Sequence, residues 1–369
     1  YIWKFHHRRS SSGTCMIRFY VHDVLTGVPL GELDPKEFTF NTPLWGGGSA
    51  ELTSTLTINS DVLKRKTTPD GVAIYIKDGS QYLWGGPINS RTKSQGKPEL
   101  KLKAQHWKAW FYTRLIKDKW FRVKDQYSMA WELIAYAVAD YGTPKIVIGS
   151  YLSGLSREFT VEPWWSVGQA LDTFGQRDGG FEWDVLFRDN SQTGLPEIYV
   201  ELYALGQERS SRPTLMLDST DSTNRISVGD IPEDASEKRS RVWATGEGQW
   251  PEQPTSKDED PNLSSNTVLL RETVTNYQSV STLATLFDHA RSERIARSLP
   301  QSKVPVTHPI DQPSVTSYRV GDRARLKVKD EWFDFDYKGV RVIDKAISKQ
   351  PTQPPQVTVI LDLTDIRGT

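Results

Sequence analysis

At both ends of the chain, apolar and polar residues alternate in short runs that glycine, proline, asparagine or aspartate cut off, and this period constrains the fold more than any other feature. In AELTSTLTI, Ala50, Leu52, Ser54, Leu56 and Ile58 fall on one side, with Glu51, Thr53, Thr55 and Thr57 on the other. Successive side chains of a strand point to opposite faces, so such a run is a half-buried strand and has the wrong period for a helix. IRFYVHDVL, EFTFN, GVAIYIKDG, SQYLWGGPI and PELKLKAQHW share this texture, which predicts an all-β unit, a small barrel or sandwich, over residues 16–115. Its clearest hairpin turn is Lys77-Asp78-Gly79-Ser80.

The glycine run before Ala50, LWGGGS, invites comparison with a phosphate loop. Such a loop needs a Lys-Ser/Thr pair and a helix whose N-terminal amides face the anion. A strand follows Gly48, and the nearest match, Gly96-Lys97, is followed by Pro98 and has Arg91 where the earlier glycine belongs. The run reads as a turn entering the sheet.

Helical spacing appears after Trp120. SMAWELIAYAVADYG puts Ala130, Leu133, Ile134, Ala137, Val138 and Tyr141 on one face, with Ser128 as the expected cap and Gly142 as the stop. In WSVGQALDTFGQ, Ser166 and Gln169 have capping-box spacing, and Val167, Ala170, Leu171 and Phe174 form the apolar stripe. GGFEWDVLFRD and LPEIYVELY then return to period two, so residues 116–212 read as an α+β unit. Residues 213–369 read as a second β unit built from PTLMLD, NRISVGD, SRVWATGEG, SYRVGDRARLKVKD, GVRVIDKAIS and PQVTVILDL. Two features interrupt it: an exposed, proline-rich loop at 250–266, and a helix at about 281–299 carrying Leu283, Leu286, Phe287 and Ala290. Residues 1–15 are a basic, Ser-rich arm.

A chain of 369 residues exceeds one comfortable core and predicts two to four units. The 46 basic and 46 acidic side chains cancel, which argues against nucleic-acid binding as its main task. The single cysteine, Cys15, rules out an intrachain disulfide. No stretch approaches the roughly twenty apolar residues of a membrane span, and the first fifteen residues lack the apolar middle of a secretory signal.

Candidate chemistry is sparse. Asp334, Asp336 and Gly339 match three positions of a calcium loop, but Lys338 and Lys345 stand where oxygen ligands are required, so the segment reads as a charged hairpin. Of the six histidines, His6-His7 lie in the arm, His289 on the late helix has an expected surface or interface role, and His22, His106 and His308 lack partners at ligand spacing. No G-x-S-x-G elbow is present, and Cys15 lies in no nucleophile signature. Carboxylates cluster at Glu182/Asp184, Asp218/Asp221 and Asp258/Glu259/Asp260; a glycosidase needs two about 5 to 10 Å apart in a cleft. Glu182 and Asp184 fall on the polar side of a strand and are expected on a solvated face. The thirteen tryptophans, among them Trp107, Trp110, Trp120 and the Trp164-Trp165 pair, point mainly to core packing and together to a large subunit interface. No catalytic, cofactor-binding or metal-binding residue is assigned, and no specific interface residue.

The order of pieces resembles the tail hub, baseplate-hub or tail-tip, proteins of long-tailed bacteriophages. The resemblance rests on GGGSAELTSTLTI, WWSVGQALDTFGQRDGGFEWDV, RISVGDIPEDASEKRSRVWATGEG, ATLFDHARSERIARSLP, and the run from YRVGDRARLKV to VTVILDL, over most of residues 16–363. It is closest in texture to minor tail proteins of phages of Gram-positive hosts. It implies a mainly β fold with an α+β insert, in which two β-barrel-like domains form a hub. It also implies a homotrimer whose six barrels make a pseudo-sixfold ring matching a distal-tail or tail-tube ring above and threefold symmetry below. Such a hub meets the tape-measure protein and other tail-tip or receptor-binding subunits, opens for DNA passage, needs no cofactor, is not an enzyme, and resides in the virion tail after assembly in the host cytoplasm. Hubs often carry C-terminal cell-wall-cleaving or receptor-binding modules; the closing strand run near Thr369 assigns those activities to other subunits. A carbohydrate- or receptor-binding tip protein and a cell-wall glycosidase or peptidase are the alternative readings.

Overall fold

A computed structural model of the chain describes residues 17–55, 64–93, 95–150, 152–177, 179–209, 215–221, 225–249, 251–265, 267–277, 280–298, 302–332 and 334–363. The arm with His6, His7 and Cys15, and the AELTSTLTI run beyond Thr55, lie outside the described residues.

The first region contains β1 (Ile17–Asp23), β2 (Pro29–Leu33), β3 (Pro35–Pro43), β4 (Ser49–Thr55), β5 (Val72–Asp78), β6 (Gln81–Lys93) and β7 (Glu99–Gln105). The predicted alternation holds in β7, where Leu100, Leu102 and Ala104 are buried while Lys101 and Lys103 are exposed. The β5–β6 hairpin turns at Gly79, whose φ of 58° only glycine adopts easily. The glycine run joins β3 to β4, and a Cβ on Gly48 would lie 2.1 Å from the Asn41 carbonyl oxygen.

The middle region contains β8 (Trp120–Asp125), α1 (Gln126–Val138), β9 (Ile146–Ile148), β10 (Ser156–Val161), α2 (Val167–Gly175), β11 (Phe181–Asp189) and β12 (Pro196–Ala204). In α2, Ser166 caps the helix by accepting from the Gln169 N–H, and Val167, Ala170, Leu171 and Phe174 are buried, all as expected. In α1 the cap is Asp125 instead of Ser128: its carboxylate accepts from the backbone of Tyr127 and Ser128 and so starts the helix one turn earlier. The helix also ends earlier, so Tyr141 lies beyond it and is fully exposed.

The third region contains β13 (Leu215–Asp218), β14 (Ser227–Val228), β15 (Arg241–Thr245), β16 (Thr255–Glu259), β17 (Glu272–Asn276), α3 (Leu283–Ala296), β18 (Lys303–Pro309), β19 (Arg323–Lys329), β20 (Asp334–Lys349) and β21 (Gln356–Asp362). The segment expected to be an exposed loop carries β16, paired antiparallel with β15. Its polar composition misleads because β16 is held by backbone pairing and by the Asp258–Arg294 ion pair to α3, with little apolar burial of its own.

The two β regions share one 13-stranded sheet, ordered β14-β18-β21-β20-β3-β4-β7-β6-β5-β1-β2, with β19 and β13 branching from β20. The long β20 creates the join, since Asp344–Lys349 pair antiparallel with Phe38–Pro43 of β3. One continuous hydrophobic core follows the sheet, from Phe19 and Trp84 to Val306 and Leu361. A second core fills the α+β unit and also takes in Tyr75 and Trp107 from the first region. The β15–β17 sheet and α3 enclose a far smaller one of Val242, Ala244, Leu286 and Ala290.

Candidate functional site

The α+β unit meets both β regions along β11. Phe181, Trp183 and Val185 of this strand face the α+β core, as the period predicts. The opposite face, with Glu182 1% and Asp184 4% exposed, is buried too. The expectation of a solvated polar face is therefore corrected: a second unit packs where the sequence alone implies water.

Arg209, just after β12, supplies the counter-charge. Its Nη2 donates to Glu182 Oε2 at 3.2 Å and its Nη1 to Asp184 Oδ2 at 2.9 Å. Arg341 on β20 donates from Nη2 to Glu182 Oε2 at 2.6 Å. Asp322 clamps the backbone behind, accepting from Arg209 N and from Arg319 N at 2.7 Å each. Gly321, at φ 95°, is required here twice over, since a Cβ would lie 2.4 Å from Arg209 Nε. Two carboxylates and two guanidiniums, drawn from the α+β unit and the second β region, thus form one ion cluster with almost no exposed surface. Two lysines flank it, Lys108 buried and Lys345 half-buried, each with its pKa lowered to about 8, mainly by desolvation. Lys108 donates to the Leu44 carbonyl at 2.7 Å and lies over the Trp183 ring, while Lys345 donates to the Val315 and Tyr318 carbonyls.

On its other end β11 grips the first β region. Phe187 packs edge-on against Tyr75 and His106, and Asp189 accepts from Tyr82 at 2.6 Å and pairs with Lys77 at 3.0 Å. One strand therefore fastens three parts of the fold together.

Beside the cluster opens a cleft of about 1250 Å³, bounded by Glu182, Arg341, Trp45 and Trp165 on one side and by Tyr277 and α3 on the other. Across it, the His289 ring stacks on Tyr277 at 4.1 Å, and burial pushes its pKa down to about 4. Arg177 sits over the Phe174 ring and donates to the Glu158 carbonyl, and burial lowers its pKa to about 10. The cleft mixes both signs of charge with aromatic walls. Both carboxylates of the Glu182/Asp184 pair are bound to guanidiniums, and Asp184 does not line the cleft.

The remaining candidates are dispersed. Asp334 and Asp336 pair with Lys329 and Arg325 along the β19–β20 hairpin. Asp218 pairs with Lys327, Asp258 with Arg294 and Glu259 with Arg241, while Asp260 caps a short 3-10 turn. Among the described residues no group of His, Cys, Asp and Glu is arranged to hold a metal ion. His22 bonds the Gly27 carbonyl; buried His106 caps the Trp107–Trp110 turn; His308 lies between Pro309 O and the Tyr318 hydroxyl. Trp107 is buried, Trp110, Trp120 and Trp165 are partly buried, and Trp164 is 66% exposed at φ 70°. Sequence reasoning missed Arg209, Arg341 and Asp322. The only local signal was the pair of like charges two apart on β11, since their partners lie far along the chain.

No protein-family model matches the sequence, and neither does any curated protein. Solved structures do match. The chain is similar to the 43 kDa tail protein of prophage MuSo2 from Shewanella oneidensis at 12% identity and TM-score 0.61, over 93% of this chain and 98% of that one. It is similar to the tail protein from Neisseria meningitidis MC58 at 16% identity and TM-score 0.62, over 93% and 96%. A prophage tail protein from Listeria monocytogenes EGD-e matches at 11% identity and TM-score 0.52, over 93% and 94%. At these identities the likeness is one of fold, and it spans both partners nearly end to end. The chain has the mainly β, hub-like fold of phage tail proteins.

Proposed function

We propose that the chain is a structural subunit of a phage tail tip, a hub that closes the tail tube. The observation that carries this reading is the end-to-end likeness to tail proteins, with no large part of either chain left over. In this reading residues 16–115 and 213–369 are the two barrel-like hub domains and 116–212 the α+β domain. Three copies form a ring in which six barrels match the sixfold tube or distal-tail ring above and present threefold symmetry below. The continuous sheet suits that task, because β3–β20 pairing joins the two β regions by backbone hydrogen bonds. The tape-measure protein and other tail-tip or receptor-binding subunits are its neighbours, and the ring rearranges to let DNA pass. Its place is the virion tail, assembled in the host cytoplasm, and its role is mechanical instead of catalytic.

Negative-stain imaging with light scattering tests this. Threefold rings with a central opening, at three times the chain mass of 41.9 kDa, are expected. A compact monomer at every concentration overturns the ring. The exposed indoles of Trp164 and Trp332 favour a second reading, glycan binding by stacking, which a glycan array tests directly.

A further inference from the structure

The 13-stranded sheet ends on β14 at one side, where exposed acidic residues follow, while exposed basic residues gather around β6 and β7 in its other half. Next to β2, the 64–66 turn places the Lys66 ammonium against Gly31, where a Cβ would meet Nζ at 2.3 Å. Arg91 of β6 ties this turn to the barrel by donating to the Lys64 carbonyl at 2.6 Å. Lys93 on β6, Lys97 in the β6–β7 turn and Lys101 on β7 extend the basic face, all exposed. Lys97 and Lys101 close no ion pair with a described residue, and both lie near enough to Glu99 to help hold its carboxyl below the usual range, after Lys36, which bonds it directly.

At the other end, β14 pairs with β18 and leads into Asp230, Glu233 and Asp234, all exposed. Among the described residues no cation pairs with these three; Asp234 accepts from Ser236, through its backbone N–H and its side chain. In a chain of zero formal net charge, these two patches, far apart in the strand order of one sheet, are complementary in charge to each other.

We propose that the acidic 230–234 segment of one copy docks on the basic β2/β6–β7 face of the next, forming a head-to-tail contact that closes into a ring. A heterologous contact of this kind generates a closed ring when its rotation permits. The inference rests on the ring reading above and adds which surfaces meet and what chemistry joins them.

The test is charge reversal, read by sedimentation velocity across concentration at low and moderate salt. Self-association of the unaltered chain should weaken as salt rises, because exposed charges more than about 10 Å apart are screened near 0.1 M. The triple variant Lys93→Glu, Lys97→Glu, Lys101→Glu should associate at least tenfold more weakly, and so should Asp230→Lys, Glu233→Lys, Asp234→Lys. All six changes in one chain should restore association to within about threefold, since like charges repel and swapped opposites attract. If both triple variants assemble like the unaltered chain, or the combined variant stays as weak as they are, this junction is wrong while the ring reading survives. If the unaltered chain sediments as a monomer throughout, both are wrong.

Discussion

Arg209→Met tests the junction most directly. The Arg209 side chain is 1% exposed and, among the described residues, is the one guanidinium hydrogen-bonded to Asp184, whereas Glu182 keeps Arg341. Methionine has similar length and no charge, so the change leaves a buried carboxylate whose remaining hydrogen bond is from the Val185 N–H. Removing one partner of a buried ion pair costs about 3–5 kcal/mol, because the other charge stays out of water uncompensated. With melting shifted by about 2–4 °C per kcal/mol in a unit of this size, Tm should fall by roughly 6–20 °C. Arg188→Met is the control: its pair with Glu197 is 57% exposed on the arginine side and should contribute under about 1 kcal/mol. Replacing the whole group, with Glu182→Leu, Asp184→Leu, Arg209→Met and Arg341→Met together, should recover most of the loss, since packed apolar residues often match a buried ion cluster in stability. Urea unfolding followed by tryptophan fluorescence gives all three values. A loss below about 1 kcal/mol for Arg209→Met alone would refute the reasoning.

Stability should also depend on pH through the buried histidines. Burial lowers His106 and His308 to about 4, against an ordinary 6.5 in the unfolded chain. Unfolding therefore takes up protons between pH 6.5 and 4, and stability present above 6.5 is lost as pH falls through that window, by up to about 3 kcal/mol for each. His308→Gln should flatten the slope, and a stability unchanged from pH 7 to 4.5 would contradict it. Gly48→Ala should cost about 1–3 kcal/mol by forcing the β3–β4 turn open against the Asn41 carbonyl; an unchanged urea midpoint would show that the turn yields freely. Hydrogen exchange should be fastest in the unit of β15–β17 and α3, whose core holds only four buried residues, and slowest in β4, β7, β20 and β21. Equal protection would mean that the surrounding cleft stabilises the small unit as strongly as a core.

What could be read from the sequence was local. Ser166 and Gln169 announce α2 because a cap and its helix are neighbours, and the alternation of β7 announces its buried face because period two is a property of one strand. The apolar run from Met129 points to Ser128 as the cap of α1, whereas the Asp125 carboxylate caps it one turn earlier by accepting from the Tyr127 and Ser128 N–H groups. Glu182 and Asp184 show the limit of local pattern on a larger scale. A polar stripe on a strand implies water only if nothing else covers it, and Arg209 and Arg341 reach it from other parts of the chain. The overall hub-like architecture was legible from the order of its pieces, while the fusion of two β regions into one sheet depends on a pairing that no local pattern encodes.

That pairing sets a timetable for synthesis. β3 lies near the start of the chain, and the partner of its outer edge, Asp344–Lys349, is made about three hundred residues later. At about 5–20 residues per second the ribosome leaves that edge without its partner for roughly 15–60 s. An unpaired strand edge is a template for pairing with any other chain, including a second nascent copy. The late arrival of β20 thus makes this protein dependent on whatever shields the edge during translation, and a chain truncated before Asp344 would carry it uncovered for good.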